Sequence, residues 1–346
     1  MGRFSKLIAH YSQLNMTVSI IIINYKSAQL TVNCIDSIKK FTQEISFEVV
    51  VVDNDSQDNS EQIIKSAHSD IVWVQTGYNA GFSRGNNAGF KVAKGEYILL
   101  LNADTLLFED TISLTVSRLE EDKDIAVIAG LQVNPDMSPM YYYRNRNDFR
   151  KFLYVVPNRF EKILDKFLPQ PKFSDPNEAE LPCGAYMILS RETLEKAGQM
   201  DEDFFMYAED FEWASRLRKV GKLCYFEDIK FIHLEKPSPF RRTNISPINR
   251  FGTQMQVSNL LWIRKEYGIG AYLLLIFHYV TLALFFFIWK VLVNISKLRN
   301  PFTELKSQKI ILLKTGVYLK FFWKTLFKQK GFYKIAEVDN IDLRYK

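Results

Sequence analysis

The regular pattern of the chain begins with an unbroken apolar run, Val18 to Ile23, stopped by Asn24-Tyr25-Lys26. A run this short, without alternation, predicts a strand buried on both faces; it is too short for a secretion signal and lacks a small-residue cleavage site. From Ala28 to Phe41 the period changes, with Leu30, Cys34, Ile35 and Ile38 recurring at helical spacing. A second apolar run, Phe47 to Val52, ends at Asp53. Ser56 to Ala67 is predicted as a helix with Asp55 or Ser56 at its N-cap, and Ile71 to Gln75 as a third strand. Asn86 to Lys94 reads as a helix ended by Gly95, and Tyr97 to Leu101 as a fourth strand running into Asn102-Ala103-Asp104.

Strands alternating with helices predict an α/β fold, a mostly parallel sheet with helices on both faces. Ligands of such sheets bind beyond the carboxyl ends of the strands. Three of those ends carry polar clusters: Asn24-Tyr25, Asp53-Asn54-Asp55 and Asn102-Ala103-Asp104. One such cluster is as readily a turn or a helix cap as a site. Three at successive strand ends point to a site.

The pattern is looser further on. Asp136 to Glu180 is irregular and rich in Tyr, Arg, Asn and Pro, with a helix expected near Phe160 to Phe167. Regular structure is expected again at Cys183 to Leu189 and at Asp210 to Val220, closed by Gly221. Near Phe240 the composition shifts. Residues 267–289 carry no formal charge over 23 positions, flanked by Arg264 and Lys265 on one side and Lys290, Lys297 and Arg299 on the other. That is long enough to cross a bilayer, which takes about 20 residues. Ile310 to Phe327 is apolar and aromatic but broken by Lys314, Lys320 and Lys324; Lys320, Lys324 and Lys328 would share one helical face.

Charge bears on how that segment is used. Residues 294–346 hold 12 Lys/Arg and 4 Asp/Glu, a net of +8, whereas the whole 346-residue chain is +6. The basic character is therefore C-terminal. A basic amphipathic helix lies in the plane of a membrane, and a single crossing would put the +8 tail opposite a cytoplasmic catalytic domain, against the positive-inside tendency. The expectation is a peripheral or monotopic attachment to the inner leaflet, on the cytoplasmic face of the inner membrane; a buried core hairpin is the alternative. Nucleic acid is not expected as a partner, because a phosphate-tracking patch needs no long uncharged run beside it. An apolar share of 47% and a charged share of 24% exclude wholesale disorder. Three widely spaced cysteines, Cys34, Cys183 and Cys224, exclude a disulfide framework and suit a reducing compartment.

Six stretches, in order, carry the chemistry: Val18-Ser-Ile-Ile-Ile-Ile-Asn-Tyr, Val51-Val-Asp-Asn-Asp-Ser, Asn79-Ala-Gly-Phe-Ser-Arg-Gly-Asn-Asn, Leu99-Leu-Leu-Asn-Ala-Asp-Thr, Pro182-Cys-Gly-Ala and Phe204-Phe-Met-Tyr-Ala-Glu-Asp-Phe-Glu-Trp, with His233 following. As a set they resemble the family 2 glycosyltransferases of the GT-A fold, particularly bacterial rhamnosyltransferase-like members. The resemblance covers about residues 16–240. It implies a GT-A domain there, with residues 1–15 as an N-terminal extension and 241–346 as a helical, membrane-associated region.

Carried over residue by residue, the resemblance implies that Asp53 accepts a hydrogen bond from a pyrimidine base, with Asn24 and Tyr25 in the base pocket. Asn79, Gly81 and Gly85 would lie near the donor and Arg84 near a phosphate. Asp104 would ligate Mg²⁺ or Mn²⁺ bridging the donor diphosphate, joined by His233, for which a structural role is the alternative. The family commonly has Asp where this chain has Asn102, so direct ligation by Asn102 is doubtful. Asp210, with Glu209, would be the general base; alone, the pair would read as helix N-terminal charges complementing the macrodipole. Cys183 would be a small packed side chain near the acceptor cleft, and Trp213 a core residue.

The reaction implied is inverting transfer from a nucleotide-diphospho sugar, dTDP-rhamnose or a UDP-sugar, to a saccharide acceptor, soluble or polyprenyl-diphosphate-linked. A catalytically inactive saccharide-binding or assembly subunit is the alternative. A processive synthase is disfavoured by the missing Gln-x-x-Arg-Trp, and a dinucleotide-binding dehydrogenase by the missing G-x-G-x-x-G after the first strand.

Overall fold

A computed structural model describes residues 17–140, 143–144, 173, 175–182, 184–234, 252–328, 330 and 333–335. Residues 1–15, the helix expected near Phe160 to Phe167, and Cys183 lie outside them. The chain forms two compact units. One draws on Met1–Arg146, Pro171–Glu202 and Asp210–Lys236, the other on Asn147–Gln170, Asp203–Glu209 and Pro237–Lys346.

The first unit is built on strands β1 (Val18–Asn24), β2 (Phe47–Asp53), β3 (Val72–Gln75), β4 (Tyr97–Asn102), β5 (Thr105–Leu106), β6 (Ile125–Val133), β7 (Pro139–Met140), β8 (Tyr143–Arg144), β9 (Leu181–Pro182), β10 (Tyr186–Ser190) and β11 (Lys222–His233). Its main sheet runs β3-β2-β1-β4-β10-β6-β11-β5, with β7 beside β6. Strands β1 to β4 are mutually parallel, β10 is antiparallel to both β4 and β6, and β11 is parallel to β6. The sheet is thus mostly parallel, with β10 as a reversed strand between two parallel sets.

Its helices are α1 (Ala28–Phe41), α2 (Ser60–Ala67), α3 (Gly81–Val92), α4 (Thr111–Glu121), α5 (Arg191–Ala197) and α6 (Glu209–Leu217), the last from Asp210 onward. Successive strand side chains alternate faces, and the two faces of β1 show this. Val18, Ile20 and Ile22 join one core with Val49 and Val51 of β2, Cys34, Ile35 and Ile38 of α1, and Ile112 and Val116 of α4. Ile21 and Ile23 point the other way, to α3, where a Cβ on Gly89 would lie 2.6 Å from Ile21 and one on Gly85 3.0 Å from Ile23. Helices therefore cover both faces. Each fully buried aliphatic side chain contributes about 1.5–3 kcal/mol.

Two helix starts differ from expectation. Helix α2 begins at Ser60, because Asp53-Asn54-Asp55-Ser56 forms a loop with Asp55 and Gln57 in the left-handed region (φ 61 and 53). Helix α3 begins at Gly81 (φ +71), five residues before the predicted start at Asn86. Side-chain caps open two helices that the pattern did not predict: Asp110 accepts from Ser113 N at 3.2 Å at the start of α4, and Ser190 from Thr193 N at 3.0 Å at the start of α5. Strand β6 lies outside the elements that the pattern predicts.

The second unit contains α7 (Thr253–Glu266), α8 (Gly268–Ser296), α9 (Lys306–Lys320) and α10 (Phe322–Leu326). Among the described residues, α8 alone is long and apolar enough to cross a membrane. One side of it packs within the unit. The Tyr279 and Tyr318 rings meet edge to face at 4.9 Å, Tyr272 donates to Phe322 O at 2.8 Å, and Asn294 Nδ2 donates to Pro301 O and Thr303 O. The other side, including Phe277, Leu284, Phe285, Ile288, Trp289 and Leu292, is exposed. The continuous basic helix expected over 310–327 does not form. It breaks at Phe321, and Lys314 is buried, so Lys320, Lys324 and Lys328 are exposed on separate pieces of chain.

Candidate active site

Parallel register assembles the first part of the site. Asn24 of β1 pairs with Asp53 of β2, Asp53 with Gln75 of β3, and Ile23 with Asn102 of β4. The polar strand ends therefore stand side by side on one rim of the sheet. Cross-strand partners share a face, which is why Asp53 is gripped from both sides. Its Oδ1 accepts from Asn24 Nδ2 (2.6 Å) and Ser56 Oγ (2.6 Å), and its Oδ2 from Ser56 N (3.0 Å) and Gln75 Nε2 (3.0 Å). Burial pushes the Asp53 carboxyl up, but these four hydrogen bonds outweigh it and hold the group below its ordinary range.

This network corrects the expectation for Asn24. It is fully buried, and its amide is consumed within the protein: Nδ2 donates to Asp53 and Ser56, and Oδ1 accepts from Ser27 Oγ (3.0 Å) and Thr31 Oγ1 (3.1 Å). Asn24 buttresses Asp53 and has no free edge for a base. Ser56, Gln75 and Thr31 were missed in the sequence, since a lone hydroxyl or amide carries no spacing signal. Tyr25, by contrast, is exposed at the rim with Lys26 Nζ 5.5 Å from its ring centre.

Helix α3 starts beside this rim. Asn79 Oδ1 accepts from Gly81 N at 3.2 Å, and Asn54 Nδ2 donates to Gly81 O at 2.8 Å. Gly81 adopts a left-handed φ that favours glycine. The missing Cβ of Gly85 makes room for Ile23 and Asn54. Arg84 is engaged by the backbone of Glu202, Nε to O at 3.2 Å, with the Glu202 carboxylate 3.8 Å away. Asn87 donates to Met200 O and Glu202 Oε1 and accepts from Met200 N, pinning the same loop.

The second part comes from the far end of the chain. Strand β11 bulges against β6 between Phe226 and Lys230, where a Cβ on Gly130 would meet Ile229 O at 2.5 Å. It then pairs with β5 through Ile232–Leu106 and His233–Thr105. This sets His233 Nε2 3.0 Å from Asp104 Oδ1, while Leu234 N donates to Asp104 O at 2.7 Å. Burial raises the Asp104 carboxyl, but the His233 hydrogen bond and charge prevail and lower it. His233 is buried, and its Nδ1 has no hydrogen-bond partner among the described residues.

A carboxylate oxygen and an imidazole nitrogen at this separation fit a divalent ion. Two adjacent ligands of an octahedron with arms of about 2.1 Å lie about 3.0 Å apart. Among the described residues no cluster of three or more His, Cys, Asp or Glu surrounds such a point. Two protein ligands suit a hard cation whose remaining positions go to phosphate and water. Asn102 makes no side-chain hydrogen bond among the described residues.

Asp210 enters through β10. Asn102 N donates to Ala185 O at 3.1 Å, and a Cβ on the neighbouring Gly184 would lie 4.0 Å from Asp210 Cβ and 3.7 Å from Phe82. Asp210 is thus at the same end of the sheet as Asp104, half-buried in the first turn of α6, with its Oδ1 accepting from Phe211 N. Glu209 is buried. The helix behind is firmly seated. Trp213 is wholly buried and donates to Gly198 O at 2.9 Å, and Arg216 grips Glu212 with two hydrogen bonds of 2.8 Å. Trp213 is a core residue, as expected.

Known proteins resemble the chain over much of its length. The chain is 28% identical over 217 residues to a Low-salt glycan biosynthesis hexosyltransferase, Agl10, of Haloferax volcanii, covering 58% of this chain and 62% of that protein, less than two thirds of its length. It is 29% identical over 235 residues to the Glycosyltransferase GlyG of Streptococcus pneumoniae, covering 65% and 73%. It is 25% identical over 250 residues to the dTDP-rhamnosyl transferase RfbF of Shigella flexneri, covering 69% and 77%. A mannosyltransferase from Pyrobaculum calidifontis, solved with GDP-Man and Mn²⁺, shares the fold with a TM-score of 0.50 at 15% identity, covering 95% of this chain and 94% of that one. The Glycosyl transferase family 2 profile matches residues 19–198, more than half of the chain. With its GT-A-like mixed sheet and its polar rim, the chain belongs to glycosyl transferase family 2.

Proposed function

We propose that this protein is an inverting hexosyltransferase that moves a sugar from a nucleotide-diphospho donor, dTDP-rhamnose or a UDP-sugar, to a saccharide hydroxyl in cell-surface polysaccharide synthesis. The observation that carries the reading is the convergence of Asp53, the Asp104–His233 pair and Asp210 at one end of one sheet. The names of the relatives, a hexosyltransferase and a dTDP-rhamnosyl transferase, support the substrate class.

The base of the donor sits at the β1–β2 end beside Tyr25 and Asp53. Asp53 is already saturated by protein donors, so the base is read through that ordered network, with Gln75 as the partner nearest solvent. Asn79 and Gly81 border the sugar side, and Arg84 adds positive charge there. Asp104 and His233 would hold Mg²⁺ or Mn²⁺, which supplies positive charge against the diphosphate as it departs. Asp210 takes the proton from the acceptor hydroxyl as that oxygen attacks the anomeric carbon, with Glu209 beside it. A weak nucleophile needs such a base, worth about 10²–10⁴-fold in rate. The carboxylate is aimed by a helix that Trp213 and Arg216 lock in place. One displacement inverts the anomeric configuration.

The acceptor we propose is a saccharide on a polyprenyl diphosphate, with the enzyme attached to the cytoplasmic face of the inner membrane through 241–346. The exposed side of α8 supports this reading: six large apolar side chains, Phe277 to Leu292, are each more than half exposed, an arrangement that water disfavours. The test is release of nucleotide diphosphate from a panel of UDP- and dTDP-sugars, with and without Mn²⁺, offered a polyprenyl-diphosphate saccharide in vesicles. Metal-dependent, acceptor-dependent release from one donor is expected. A folded protein that is stabilised by no nucleotide and releases none would overturn the proposal in favour of a non-catalytic subunit.

A further inference from the structure

Residues 203–209 run directly into the helix that carries Asp210, and they belong to the C-terminal unit. Two successive residues in this strap, Tyr207 (φ 72) and Ala208 (φ 65), are left-handed. Residues with a side chain rarely adopt that conformation, and it persists only where the surroundings impose it.

The surroundings come from α7. That helix is buried almost all round, although Thr253, Gln254, Gln256, Ser258 and Asn259 are polar. Buried polar groups need partners, and Ser258 finds its partner in the strap, which the charged end of the helix, Lys265, also engages. Ser258 Oγ donates to Met206 O at 2.8 Å, one residue before the left-handed pair. Lys265 Nζ is 2.8 Å from Asp203 Oδ2, with both side chains less than a fifth exposed, and lies 5.3 Å from the centre of the buried Phe204 ring. Gln254 secures the outer layer: its Nε2 donates to Tyr333 O (2.8 Å) and its Oε1 accepts from Ile335 N (2.9 Å), while Tyr333 N donates to Asp203 O. All these contacts lie within the one unit.

We propose that α7 is a brace for the general base: Ser258 and Lys265 are positioning residues that hold the strap 203–209 in its left-handed path and thereby set the direction in which Asp210 leaves it. The inference rests on the base role proposed for Asp210.

The test uses Ser258→Ala and Lys265→Met in the full chain, with Lys265→Arg as the rescue. In acceptor-dependent nucleotide release, kcat is expected to fall about tenfold or more while the donor KM stays within about twofold, as expected for an interaction that acts on the reacting geometry rather than on substrate binding. Stabilisation by UDP or dTDP should be unchanged, and Lys265→Arg should recover most of kcat. Amides 204–210 should exchange with deuterium faster in both variants, with β1 and β4 unaltered. Wild-type kcat in both variants, or a loss of kcat that tracks a loss of nucleotide stabilisation, overturns the brace. If Asp210→Asn retains full transfer, the base assignment falls; the exchange comparison then still decides the brace, because unchanged protection at 204–210 rejects it.

Discussion

His233 Nε2 lies 3.0 Å from Asp104 Oδ1, joining residues 129 positions apart through the short pairing of β11 with β5. The pair sits at the carboxyl end of β4, and its geometry suits two neighbouring ligands of one cation. His233→Ala should therefore weaken Mn²⁺ binding about tenfold or more, since even residues that only orient ligands cost 10–100-fold. The measurement is Mn²⁺ titration followed by electron paramagnetic resonance on the protein without donor. Undiminished Mn²⁺ affinity would remove His233 from the metal site.

Asp210→Asn keeps the shape of the side chain and removes the carboxylate proposed as the base. Transfer should fall by about 10²–10⁴-fold, while thermal stabilisation by UDP or dTDP persists because the Asp53 end of the rim, where we propose the nucleotide binds, is untouched. Steady-state rates and melting curves on the same preparation separate the two effects.

Asp53→Asn disturbs the buried network. Four donors converge on the carboxylate, and an amide offers one oxygen, so two donors are left without an acceptor. A loss of about 1–3 kcal/mol is expected in urea unfolding. The sign with pH follows from the lowered carboxyl. A carboxylate held below its unfolded value of about 3.9 stabilises the fold fully above that pH, and the contribution disappears as pH falls through the folded value. The gap between wild type and variant should therefore be flat above about pH 5 and close on acidification.

Gly130→Ala tests the bulge that steers β11 towards Asp104. The new Cβ would lie 2.5 Å from Ile229 O, a backbone atom that cannot swing aside. Overpacking of this kind costs about 1–3 kcal/mol. A lower melting temperature with weaker Mn²⁺ binding is expected, and an unchanged melting temperature would show that the strand crossing has slack.

Phe285→Glu and Ile288→Glu place charge on the exposed side of α8, where Phe285 is 60% and Ile288 56% exposed. Neither side chain packs into the unit, so stability should change little. Co-sedimentation with vesicles of phosphatidylglycerol and phosphatidylethanolamine should drop sharply. Retained sedimentation would direct the search for the attaching surface elsewhere.

Much of this architecture could be read from local pattern. The apolar runs of β1, β2 and β4 and the period of α1 are local signals, and burial on both faces leaves such runs only one structural outcome. Their polar ends, Asn24, Asp53 and Asn102, come to one rim because parallel pairing in register puts carboxyl ends together. Asp53 and Asp104 stand out as candidates in the sequence for that reason, and Asp210 from the company of the surrounding motifs.

The roles within the rim were a matter of tertiary structure. Asn24 and Asp53 look alike as polar residues ending a strand. Only the packing of Thr31, Ser27 and Ser56 around Asn24 turns it into a buried support. Gly85 and Gly81 share a motif, yet one clears space for Ile23 and the other takes a left-handed turn. The meeting of His233 with Asp104, the left-handed strap ahead of Asp210 and the break at Phe321 depend on partners distant in the chain. Hydrophobic period is a property of neighbouring residues and can be read along the sequence. Hydrogen-bond partners and close approaches are properties of space, and the chain acquires them only when it folds.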